Sequence, residues 1–156
     1  MKSAYRQKDF ILCLFVCVFL VFGQAGTAQK SRPCSDTENR QAENEEPRRW
    51  DELYRVYKQY GRCNNVSAAE GFSESVARIL VDHWDTLPRL ARLSANHGFR
   101  RFVLGHVDAT LDMEDVRRIS VKATESCPQG LRPLCRDLKV QADAAIDEDA
   151  SYHHKN

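Results

Sequence analysis

The sequence predicts an all-α fold: a compact irregular bundle of about six short helices, held by disulfides and preceded by a cleaved signal peptide. Three observations predict it. Apolar residues recur at three- and four-residue spacing along most of residues 47–146. No alternating strand pattern of useful length and no hairpin signal interrupts them. Cys34, Cys63, Cys127 and Cys135 follow a segment built for export, and an even set of cysteines in an oxidising compartment reads as two bridges.

The export segment is residues 1–28. Lys2, Arg6 and Lys8 make a basic start, Phe10 to Phe22 is unbroken apolar sequence, and Gly26-Thr27-Ala28 offers small residues before a cut at Gln29. Gly23-Gln24-Ala25 is a second possible cleavage site. The apolar run falls short of the roughly 20 residues a membrane span needs, so a cleaved signal is expected rather than an anchor. Cys13 and Cys17 lie inside that run without the small preceding residue of a lipidated cysteine. Removal of residues 1–28 takes three basic and one acidic residue from totals of 23 and 22, leaving a net charge of about −1. Such a chain has no electrostatic footprint for nucleic acid. It also lacks a polybasic cluster for anionic lipid, and no stable membrane insertion is expected after cleavage.

The remaining elements follow in order. Residues 29–46 are polar and charged, and are expected to form a flexible arm tethered at Cys34. One helical domain, 47–146, follows. Pro47 opens the first helix, whose stripe of Trp50, Leu53, Tyr54, Tyr57 and Tyr60 ends at Gly61. The second helix spans Ser67 to Leu87, with Ser67 and Glu70 as a capping box. Its apolar stripe of Phe72, Val76, Ile79, Leu80 and Leu87 includes His83. Asn65-Val66-Ser67 before it is a formal N-glycosylation acceptor. Pro88 forces a new start, and Leu87, Leu90 and Leu93 face inward on a third helix that stops at Gly98. Phe99, Phe102, Val103 and His106 share a face of the fourth. Asp112 caps the fifth, lined by Val116, Ile119, Ala123 and Cys127. Leu131, Leu134, Cys135, Leu138 and Ala142 line the sixth, and residues 147–156 are expected to be a disordered tail. The short turn at Pro128-Gln129-Gly130 favours Cys127–Cys135 as a local clamp, which leaves Cys34–Cys63.

The candidate chemistry is sparse. His83 and His106 are polar groups on inner helix faces, and Trp84 adjoins the first. The bland expectation for both histidines is burial with a hydrogen-bonded partner. The sharper one is a metal site at which the two imidazoles meet, completed by His97 or Asp112. No His-x-x-x-His or Glu-x-x-His spacing supports it. Paired carboxylates such as Asp108 and Asp112 read as solvated charge or caps. No nucleophile elbow, phosphate loop or dinucleotide fingerprint is present. The layout of a signal, four cysteines and a few helices resembles small exported helical proteins of bacterial envelopes, including some immunity proteins of contact-dependent toxin systems. No motif matches residue by residue, so the resemblance transfers no functional residues.

The expected function is therefore that of a non-enzymatic binding or interaction protein of the periplasm or extracellular space, inhibitor- or immunity-like, acting on another protein without a cofactor. The alternative is a metal- or cofactor-binding protein using His83 and His106. A small hydrolase with a histidine base ranks third.

Overall fold

The structure is a computed structural model that describes residues 33–63 and 65–154. The expected signal peptide and the start of the arm, residues 1–32, lie outside the described residues. Among the described residues the chain is all-helical. Its elements are α1 Asp36–Glu43, α2 Trp50–Tyr60, α3 Val66–Asp82, a 3₁₀ turn Trp84–Thr86, α4 Leu87–Leu93, α5 His97–Gly105, α6 Met113–Glu125 and α7 Arg132–His153. No described helix is long and apolar enough to cross a membrane.

The seventh helix, α1, stands in the stretch expected to be a flexible arm. Ser35 accepts from the Glu38 backbone, and the Glu38 carboxylate accepts from the Ser35 backbone N–H at 2.9 Å, a complete capping box. α1 has almost no apolar surface, so partners elsewhere hold it. Cys34 is bonded to Cys63, Arg62 pairs with Glu38, and the Asn65 amide donates to Glu43 at 2.7 Å. Ala42 closes a small satellite core of Val56, Tyr60, Ala68 and Phe72.

The main core runs through α2 to α7, with Leu53, Leu80, Leu87, Phe99, Ile119 and Leu138 all fully buried. α6 and α7 form an antiparallel hairpin clamped at its turn by Cys127–Cys135. Gly130 has φ +81°, a left-handed turn position that glycine takes at no steric cost. Across the hairpin the Ser120 hydroxyl donates to Asp143 at 2.7 Å, and Arg100 of α5 reaches Asp137 at 2.5 Å. α7 stays helical to His153, where a disordered tail was expected, and Ala145 is its last buried residue.

Several other boundaries differ from the sequence expectation. α2 starts at Trp50, not Pro47, with Arg49 as its cap. α4 stops at Ser94, and Asn96 caps α5 by accepting from Phe99 N–H at 2.9 Å. The cap of α3 is Asn65, which accepts from Ala68 N–H at 3.0 Å, and Ser67 lies inside the helix. Asn65 wins because its amide simultaneously serves Glu43. Asp112 caps α6 as expected, accepting from Glu114 and Asp115 N–H.

Candidate functional site

His83 is not in the core. α3 ends at Asp82, and His83 leaves the helix at φ −127°, ψ 43°. Two donors of Thr86, its backbone N–H at 2.9 Å and its hydroxyl at 2.6 Å, converge on the His83 carbonyl and fix a tight 3₁₀ turn. The wheel that placed His83 inward assumed four further helical residues. The turn instead sends Trp84 inward and leaves His83 exposed. Trp84 is 8% exposed and its indole N–H donates to the Ser126 carbonyl at 2.8 Å, a structural anchor between the α3–α4 junction and the end of α6.

His83 opens instead onto a concavity of about 560 Å³ between the start of α2 and the α3–α4 junction. Trp50 and Ile79 form its floor, both essentially buried. Trp50 is pinned there because its indole N–H donates to the Thr86 hydroxyl at 2.9 Å. The rim is charged and balanced. Arg49 pairs with Glu52 at 2.5 Å, Arg89 pairs with Asp51, and Arg48 lies 3.8 Å from Glu46. Hydrogen bonding from Arg89 holds the Asp51 carboxyl below the ordinary carboxylate range. Glu52 is lowered by the Arg48 backbone N–H and then by Arg49. An apolar floor ringed by fixed ions of both signs suits an inserted apolar or aromatic side chain flanked by polar groups.

His106 sits elsewhere. Its Nδ1 lies 3.0 Å from the Ser73 hydroxyl, which also donates to Asp108 at 3.3 Å. Phe72 and Phe102 pack edge-on against the ring. Ser73 is ten residues before His83, about 15 Å along α3, so the structure does not bring the two histidines together. Among the described residues no three His, Cys, Asp or Glu side chains converge as metal ligands. The Ser73–His106–Asp108 group contains the three residue types of a hydrolytic triad in the wrong order. In a triad the imidazole bridges carboxylate and hydroxyl, and the hydroxyl faces substrate. Here the hydroxyl bridges, and Ser73 is 3% exposed. Ser73 has one proton; with that proton on Asp108, Nδ1–H of His106 donates to the Ser73 oxygen. Asp108 also accepts from the Thr110 backbone N–H, so it belongs to the turn after α5.

Sequence reasoning missed both groupings. The Arg89–Asp51 pair of the rim joins residues 38 positions apart, and the Ser73–His106 contact has no spacing signature. Trp50, as an aromatic at a helix start, and His83 and His106, as polar groups on apolar stripes, carried signals, but their neighbours did not. Comparison with protein families, curated proteins and solved structures finds no match for this chain.

Proposed function

We propose that the protein is exported and acts without catalysis, by binding another protein through the Trp50 cleft, in the manner of an inhibitor or immunity factor. One observation carries the reading: the cleft joins an apolar floor to a rim of paired charges, the layout of a specific, partly polar docking pocket. Two disulfides and the expected leader support an extracytoplasmic setting.

The test uses protein purified from its native compartment, whose mature chain is expected to begin at Gln29. Immobilised wild type should capture a partner that Arg89→Glu does not, while Arg118→Glu on α6 captures it normally. The purified pair should bind at least about tenfold more weakly with Arg89→Glu, as like charge replaces a rim cation. Equal capture by all three proteins, or none by any, would sink the cleft as the functional surface.

A further inference from the structure

The bridge that clamps the α6–α7 turn lines a concavity of its own, one that shares no residue with the Trp50 cleft. The space is about 990 Å³, and its walls are the end of α6, the turn and the start of α7. Cys127 is half-buried there, while Cys135 is 2% exposed. A thiol entering from solvent therefore reaches the Cys127 sulfur first, and Cys135 is the sulfur that must leave. Three cations, Arg132, Arg136 and Lys139, line the same concavity against one carboxylate, Glu125. Arg132 and Lys139 stand three residues before and four residues after Cys135, which puts both on its side of α7. Lys139 shares its charge with Asp143, and Arg136 has only the adjacent Asp137 at 3.9 Å. Arg132 is exposed and pairs with no carboxylate among the described residues.

Cys34–Cys63 stands in the opposite field. Asp36 and Glu38 follow Cys34 in the first turn of α1, and Arg62, beside Cys63, is already paired with Glu38. Thiol–disulfide exchange is faster when the leaving sulfur is a stabilised thiolate, and a bridge whose thiolates are stabilised is the more oxidising one. We propose that Cys127–Cys135 is an exchangeable redox site that oxidises thiols, besides clamping the turn. An incoming thiolate attacks Cys127 Sγ and forms a mixed disulfide there. The Cys127–Cys135 bond breaks, and its electron pair leaves on Cys135. A second thiolate attacks the sulfur of the bound thiol and releases Cys127. Two thiols become one disulfide, the bridge is reduced by two electrons, and the two protons the thiols give up pass to the two cysteines. Cys34–Cys63 stays closed and keeps α1 docked.

The test equilibrates the mature protein at neutral pH across buffers of reduced and oxidised glutathione, then quenches, alkylates and maps it by mass. Cys127 and Cys135 should open where the squared reduced-to-oxidised ratio is at least about tenfold lower than Cys34 and Cys63 require, a potential about 30 mV higher. Early quenching should find glutathione on Cys127 and none on Cys135. The chain carrying both Arg132→Gln and Arg136→Gln should react with glutathione about threefold more slowly or more, the scale of exposed charge pairs, and should open only in more reducing buffer. Arg118→Gln, outside the concavity, should match the wild type. Circular dichroism should stay native in the variants, and in wild type at the ratio that opens Cys127–Cys135. Cys34–Cys63 opening at the same or a less reducing ratio overturns the proposal. So does a first adduct on Cys135, loss of helix as Cys127–Cys135 opens, or a double variant that matches the wild type.

Discussion

Helical periodicity assigns His83 and His106 the same inward role, and the fold keeps it only in part for His106. Both fall on apolar stripes and both cap a helix that ends early, yet the turn at Trp84 leaves His83 exposed while Ser73, Phe72 and Phe102 hold His106 half-buried. Periodicity read the face correctly as far as Asp82 and failed where Thr86 captured the His83 carbonyl, a local bond no wheel contains. His83→Ala should therefore change unfolding free energy by no more than about 0.5 kcal/mol, the usual range for an exposed site. His106 behaves differently. Burial lowers its pKa from the ordinary 6.5, and Asp108 only partly offsets this. Between that lowered value and 6.5 the unfolded chain binds more protons than the folded one. The contribution of neutral His106 is complete above 6.5 and is lost as pH falls toward the folded value. Urea unfolding at pH 7.5 and pH 5 should show wild type and His83→Ala losing more stability on acidification than His106→Gln. Equal losses in all three proteins would contradict the burial of the ring.

Elements stabilised locally were legible in the sequence, and those stabilised from a distance were not. Asp112 announces α6 because an aspartate before an apolar period caps whatever follows. The Cys127–Cys135 pairing was legible because a short turn leaves those two cysteines little else to reach. α1 was misread although Ser35 and Glu38 spell a capping box, since its composition lacks a core face. Its order comes from Cys63, Arg62 and Asn65, more than 20 residues downstream. The two bridges therefore act on different elements, with separations of 29 and 8 residues. Replacing Cys34 and Cys63 together by Ala should cost about 3–4 kcal/mol, and Cys127 and Cys135 about 2–3 kcal/mol, from the loops each closes. Hydrogen exchange of the two variants should separate them. The first should expose amides of α1, and the second those at the α6–α7 turn. Loss of α1 protection in both would mean that the elements are not independent.

At the scale of the molecule, two cores meet at Phe102, which packs against both. The satellite core carries α1, and the main core carries the cleft and the hairpin. The two tryptophans of the chain stand at different joints of this assembly. Trp50 floors the cleft and is tied to Thr86, whereas Trp84 is tied to Ser126 where the hairpin begins its turn. Both indoles are buried, so each emits from a dry site and shifts to the red when its joint opens. With Trp84→Phe, the remaining emission belongs to Trp50 and should respond to whatever fills the cleft. With Trp50→Phe, it belongs to Trp84 and should respond to opening of the Cys127–Cys135 clamp. If reduction shifted Trp50 first, the assignment of joints would be wrong. The placement of two indoles thus gives the fold a pair of optical gauges, one for occupancy of the cleft and one for the closure of the α6–α7 turn.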